Sequence, residues 1–197
     1  MNIKPTLVLG LILVISSCSK QIEDVIVLKD SLTPTTYIQY RILKNQHYTE
    51  QSVFAQVEYD ELKFRVKFDS TAVYSTINPA NQYDINKLYG FADNDAHHHQ
   101  FSARIGWRWN DGALRLFGYI YNNGVVSYEE LRTISIGTEH VCTIKITANS
   151  YIFSIDGTIK TMPRLSTTTK AKGYKLFPYF GGDETAPHDI SIWISEN

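Results

Sequence analysis

The tightest constraint in this sequence is the dipeptide Asp111-Gly112, which sits between two runs that alternate apolar and polar residues, 101–110 and 113–121. Both residue types tolerate positive φ, which a two-residue hairpin turn demands. A bend there fixes the pairing by counting outward. Trp109 faces Leu114, Arg108 faces Arg115, Trp107 faces Leu116, and the count runs on to Ser102 opposite Tyr121. One face of the ribbon carries Trp109, Trp107, Ile105, Ala103, Leu114, Leu116, Gly118 and Ile120. The other carries Ser102, Arg104, Gly106, Arg108, Arg115, Phe117, Tyr119 and Tyr121. A slip of one residue would drive the arginines of one strand into the core, where each unpaired charge costs several kcal/mol. The apolar face is therefore the core face.

The same period of two recurs along the chain and predicts strands at 37–43, 62–68, 101–109, 113–121, 132–136, 141–147, 151–155, 174–180 and 189–194. Short strands separated by Asn, Asp and Gly turns predict an all-β fold, a two-sheet antiparallel sandwich or a barrel. A helix is expected only within 79–88. A composition of 43% hydrophobic and 20% charged residues is that of one ordinary globular domain. The 19 basic residues face 20 acidic ones and form no run. That balance lacks the basic footprint that phosphate binding needs, so nucleic acid is not an expected partner.

The N-terminus reads differently. Lys4 precedes an apolar stretch over 6–15, too short to span a bilayer, in the manner of a secretion signal. The following Ile15-Ser16-Ser17-Cys18 resembles the bacterial lipobox. That resemblance implies a signal peptide over 1–17, lipid attachment at Cys18, a tether over 18–34 and a domain over 35–197. It also implies a place in the cell envelope, on the outer membrane of a Gram-negative bacterium, with the membrane touched through the anchor alone. With Cys18 lipidated, Cys142 has no partner in the chain. Its alternation with polar neighbours over 142–146 marks it as a small core residue.

The polar face of the hairpin combines three Arg, two Tyr and one Phe with no carboxylate. Arg108 opposite Arg115 is unfavourable by about 0.2–1 kcal/mol, so something anionic should offset it. Acids from a neighbouring strand are one source. A ligand is the other, since aromatic rings accept the C–H faces of sugars and guanidinium groups take carboxylate or sulfate through two hydrogen bonds. An acidic polysaccharide satisfies both, with Arg104, Arg108, Arg115, Phe117, Tyr119 and Tyr121 as the candidate binding residues. The run 62–68 provides the contrast, because Lys63, Arg65 and Lys67 lie between its apolar residues without any outward ring.

These residues resemble the concanavalin A-like lectin and glucanase jelly roll, including the closing stretch 173–194. Residues 81–91 and 102–109 are similar to surface lipoproteins of polysaccharide-degrading Gram-negative bacteria. The resemblance implies two stacked antiparallel sheets whose concave face binds glycans. The Glu-x-Asp-x-x-Glu motif of the retaining glucanases on this fold is absent, and Glu129-Glu130 are adjacent, hence on opposite faces of a strand. Alginate-lyase-like jelly rolls carry Arg-x-Glu-x-Arg and Gln-Ile-His, which Arg104-Ile-Gly-Trp-Arg108 and Gln46-His47 echo in part. A uronate lyase needs a group against the carboxylate, a base at C5 and an acid at the leaving oxygen. Arg104 or Arg108, His47, and Tyr119 or Tyr121 are the candidates for those roles, although His47 also suits an ordinary turn.

His97-His98-His99 lack the separated spacing of zinc ligands and are not expected to share one ion. Asp93 and Asp95 with loop carbonyls would suit a hard cation, and the jelly-roll resemblance implies a structural calcium. An Asx-rich surface turn is the alternative. No other cofactor is expected. The sequence thus predicts a lipid-anchored jelly roll that binds an acidic polysaccharide. A β-eliminating polysaccharide lyase is the first alternative. A surface adhesin is the second, as Tyr and Arg also favour protein interfaces.

Overall fold

The computed structural model describes residues 35–196. Cys18, the signal over 1–17 and the tether over 18–34 lie outside the described residues.

Alternation becomes two antiparallel six-stranded sheets. The back sheet runs β1 (Ile38–Ile42), β12 (Ile190–Glu196), β3 (Glu61–Phe68), β8 (Glu139–Ile146), β9 (Ser150–Ile155) and β10 (Thr158–Pro163). The front sheet runs β2 (Gln56–Tyr59), β11 (Ala171–Leu176), β4 (Asn86–Ala92), β5 (Phe101–Asn110), β6 (Ala113–Asn122) and β7 (Val125–Ile134). This is the two-sheet jelly-roll sandwich that the period predicts. The β5–β6 register is the one counted from the turn, from Asn110 opposite Ala113 to Ser102 opposite Tyr121. Asp111 and Gly112 have φ of 51° and 69°, the left-handed region that the turn demands.

Two expectations fail locally. The helix expected over 79–88 is a short 3-10 turn, Pro79–Tyr83, capped by the Asn78 side chain on the Ala80 N–H at 3.1 Å. Residues 86–92 continue as β4. That strand is buried on both faces apart from Lys87, so it presents no alternation to read. The strand expected over 174–180 lies at Ala171–Leu176, and residues 177–182 form a loop beside the front sheet.

The core lies between the sheets, with Phe64, Phe68, Phe91, Trp107, Tyr151 and Phe153 among its fully buried side chains. Gly118 lets the sheets meet, because a Cβ there would lie 2.8 Å from Met162 Sδ and 3.0 Å from Phe153. Cys142 is completely buried in this core, and burial pushes its thiol up, as befits packing and not nucleophilic chemistry.

One ion pair crosses the interior. Asp93 and Arg164 have side chains with no exposed surface, and Arg164 Nε donates to Asp93 Oδ2 at 2.8 Å while Nη2 donates to Oδ1 at 3.1 Å. Tyr151 adds its hydroxyl at 2.6 Å, and the Asn94 and Lys172 N–H groups complete the shell at 2.6 and 3.1 Å. The hard-cation reading of Asp93 is therefore corrected: both oxygens are already taken by protein donors. Asp95 is exposed, and its carboxylate lies 3.2 Å from Lys172 Nζ.

Burial raises the Asp93 carboxyl, but the Arg164 and Tyr151 hydrogen bonds and the backbone donors outweigh it and hold the group below the usual range. A depressed carboxyl stabilises the fold above about pH 4 and loses that contribution as the pH falls. Asp93→Asn should cost about 3–5 kcal/mol at neutral pH by stranding Arg164. Urea denaturation should also show a smaller loss of stability on acidification for Asp93→Asn than for the parent protein.

Candidate functional site

The outward face of the β5–β6 hairpin divides in two. At the turn end, Arg108 Nη1 donates to the Tyr83 carbonyl at 2.7 Å and Nε to Asn110 at 2.9 Å, and its guanidinium lies over Phe117 at 4.7 Å. Arg115 Nη1 donates to Glu130 at 2.9 Å, and Asp111 stands 3.9 Å from Nη2. Phe117 is buried with Ile85 and Tyr119 beneath the loop that precedes β4. The repulsion between Arg108 and Arg115 is thus offset inside the protein, by Glu130, Asp111 and a carbonyl. These two arginines and Phe117 are engaged internally, and none of them lines the cleft described next.

At the other end lies Arg104, only 6% exposed. Its position follows from the hairpin register and from its partner across the ladder, Gly90 of β4. A Cβ on Gly90 would sit 2.8 Å from Arg104 Cγ and 2.2 Å from the Ala103 carbonyl, so only glycine leaves room for the arginine stem. Arg104 Nε is buried with no hydrogen-bond partner. The groups that favour its charge are the hydroxyls of Tyr119, Tyr121, Tyr174 and Tyr179, and burial outweighs them and lowers its pKa. Arg164, by contrast, holds a complete carboxylate. Among the described residues, Arg104 has none.

Arg104 opens on a cleft of about 570 Å³, within the range of small-ligand sites. Its walls include Tyr119 and Tyr121 of β6, Lys87 of β4, Lys175 of β11, His97 to His99 of the turn before β5, and the segments around Tyr48 and Tyr179. Among the described residues, no Asp or Glu lines it. Tyr179 pairs with Lys87 through two backbone hydrogen bonds of 2.9 Å, which draws the 177–182 loop onto the sheet. Tyr48 packs edge-on against Tyr179 at 5.0 Å, and the Tyr119 ring receives Lys87 Nζ at 4.8 Å and Arg104 at 5.7 Å.

Charge in the cleft is held down by crowding. Burial and the nearby Arg104 lower the Lys87 amine to about 8, against a weaker pull from Asp84, and the amine donates to the Ile85 carbonyl at 2.7 Å. Burial, Arg104 and the flanking histidines lower His98 to about 4, so its ring is neutral at physiological pH. Burial and the hydrogen bond to Tyr121 raise the Tyr119 hydroxyl.

Of the residues predicted from sequence, Arg104, Tyr119 and Tyr121 meet in this cleft. His47 does not line it: its Nδ1 lies 2.8 Å from the Phe180 carbonyl and its ring stacks on Tyr179 at 5.2 Å. Lys87, Tyr48 and Tyr179 escaped the sequence reading. Lys87 sits in a strand without visible alternation, and the two tyrosines come from loops that only tertiary contacts bring together. The spacing of the three histidines argues against a shared ion, yet one ligand atom from each lies within 4.8 Å of the others.

The fold is the concanavalin A-like jelly roll. No protein-family model and no curated protein matches this chain. Among solved structures, a glycoside hydrolase family 16 endo-glucanase from Bacteroides ovatus is similar at 14% identity and a TM-score of 0.54, over 83% of this chain and 81% of that one. The alginate lyase AlyC3 is similar at 8% identity and a TM-score of 0.57, over 82% and 74%. The laminarinase catalytic domain from Thermotoga maritima is similar at 11% identity and a TM-score of 0.52, over 81% and 76%. At such identities the likeness establishes the fold, and the chemistry must be read from this chain's own cleft.

A buried cation without a counter-charge destabilises the free protein. Arg104→Met keeps the length of the stem and removes the charge, so it should stabilise the unliganded protein by about 1–3 kcal/mol. The check is a higher urea midpoint with an unchanged slope. A loss of stability of the size seen for core truncations would contradict the reading of Arg104 as uncompensated.

Proposed function

We propose that this protein binds an acidic glycan in the cleft, with Arg104 receiving a carboxylate or sulfate and Tyr119, Tyr121, Tyr48 and Tyr179 offering rings to the sugars. The carrying observation is the buried guanidinium that opens on a cleft without a carboxylate. An anion there supplies the missing charge, and its two oxygens suit the planar fork of arginine. The jelly-roll neighbours, named as glucanases and an alginate lyase, support a carbohydrate partner. The charge of the cleft supports an acidic one. Hydrolysis by paired carboxylates finds no support here, since that chemistry needs two acids facing one bond and the cleft lining supplies neither.

A second reading, β-elimination on a uronic acid, is favoured by the company Arg104 keeps. Arg104 would neutralise the substrate carboxylate, and a base would take the C5 proton. The electron pair would form the C4–C5 double bond as the C4–O bond breaks, and a tyrosine hydroxyl would protonate the leaving oxygen. Lys87 lies in the cleft and has an amine that loses its proton near pH 8. It suits the base role better than His47, which lies outside. If this reading holds, turnover rises with pH through about 8 as Lys87 becomes neutral.

Calorimetry with uronate oligosaccharides, sulfated oligosaccharides and neutral β-glucan oligosaccharides tests the proposal. Binding is expected for an acidic class and not for the neutral one. Arg104→Gln should weaken it tenfold or more, the scale of one charged hydrogen bond. Ultraviolet absorbance of unsaturated uronide products separates lyase from binding protein. Equal binding of the neutral glucan, or acidic binding unchanged by Arg104→Gln, would overturn the proposal.

We further propose that lipid on Cys18 holds the domain to the outer membrane, a reading supported by Ile15-Ser16-Ser17-Cys18. Expressed in a Gram-negative host, the protein should sediment with membranes, whereas Cys18→Ser should leave it in the soluble fraction.

A further inference from the structure

We propose that His97, His98 and His99 form a binding site for a divalent transition-metal ion of the zinc, copper and nickel class at the edge of the cleft. The inference stands apart from the glycan reading, because it rests on the histidine turn alone.

The chain reaches this arrangement by an unusual reversal. Asn94 and Asp95 both adopt positive φ, 60° and 52°, immediately after the buried Asp93. A tight turn follows, closed by the Gln100 and Phe101 N–H groups on the His97 carbonyl at 2.7 and 3.1 Å. Curling three consecutive residues this tightly brings their side chains around one point. The ring centroids of the pairs 97–98 and 98–99 are each 4.3 Å apart, and those of 97–99 are 5.1 Å apart. One ring nitrogen from each residue lies within 4.8 Å of those of the other two. Zinc–nitrogen bonds of about 2.0–2.1 Å place tetrahedral ligands about 3.4 Å apart, a separation that rotation of the exposed His97 and His99 rings can reach.

The turn is anchored and its central ring is oriented. The Asp95 N–H donates to the Lys172 carbonyl at 2.7 Å, and Asn94 Oδ1 accepts from the Thr167 N–H at 2.9 Å. Tyr174 Oη lies 2.8 Å from His98 Nδ1 and also accepts the His98 backbone N–H at 3.1 Å. A partner on one ring nitrogen, leaving the other free, is the way metal-binding histidines are commonly held in place. Imidazole ligands select borderline ions over calcium and magnesium, which prefer oxygen. Three protein ligands leave a fourth position open. All three histidines line the cleft, and an open position on a bound ion would accept water or an anionic oxygen.

Calorimetric titration of zinc chloride into full-length protein purified without a histidine tag and stripped by chelator tests the site. About one equivalent should bind, and cobalt should give the visible absorption of a tetrahedral site. Each of His97→Ala, His98→Ala and His99→Ala should weaken zinc binding tenfold or more, and the triple variant should abolish it, with circular dichroism confirming that each variant is folded. Tyr174→Phe should weaken it about 10–100-fold, the usual effect of losing an orienting partner. Arg104→Gln should leave zinc bound while it disables the proposed anion site, which separates a failure of one proposal from a failure of the other. No binding at millimolar zinc, undiminished binding in the triple variant, or equal competition by calcium would overturn the assignment.

Discussion

Arg104 sits where solvent barely reaches, and no carboxylate among the described residues answers it. Two features of the fold sustain that arrangement. The β5–β6 register is fixed by a large apolar face that cannot be turned outward, so the arginine cannot leave its strand position. Gly90 across the ladder removes the side chain that would otherwise occupy its berth. The hydrophobic sandwich thereby holds a charge in place against its own electrostatic cost, which is how binding sites store a preference for a ligand.

Comparison with the other arginines gives this contrast its meaning. Arg164, equally buried, is met by Asp93, the Thr168 hydroxyl and loop carbonyls. Arg115 is met by Glu130, and Arg108 by a loop carbonyl and two rings. Arg115 Nε shares with Arg104 Nε the lack of a hydrogen-bond partner among the described residues, but the Arg115 guanidinium has the Glu130 carboxylate that Arg104 lacks. Arg104 is surrounded instead by tyrosines, a lysine of lowered pKa and a neutral histidine, with a cleft beside it. It is on this contrast that the proposed binding of an acidic glycan rests.

How much of this was legible in the sequence depends on the range of the determining contacts. Asp111-Gly112 reveals nine cross-strand pairs and both faces of the hairpin, because turn chemistry and alternation agree locally. The same signal at Asn123-Gly124 and Asp156-Gly157, each with positive φ at both positions, marks the two neighbouring hairpins and would have placed β7 and β10. β4 was hidden because burial on both faces erases alternation. The partner of Arg115 was hidden by a bulge between Leu116 and Phe117 that shifts Glu130 in the β6–β7 ladder. Tyr48, Tyr179 and Lys87 meet only after the sheet has formed, and no local pattern announces them. The convergence of the three histidines was likewise invisible, since it depends on consecutive left-handed residues and on an anchor at Lys172.

The proposed role of Arg104 as the receiver of an anion is open to direct observation. A crystal structure of the protein with a bound uronic acid oligosaccharide tests it directly. A carboxylate oxygen is expected about 2.7–2.9 Å from the Arg104 guanidinium, with a sugar ring against Tyr119 or Tyr121. A carboxylate seated elsewhere on the protein, or an Arg104 turned onto one of the protein's own acids in the complex, would contradict it.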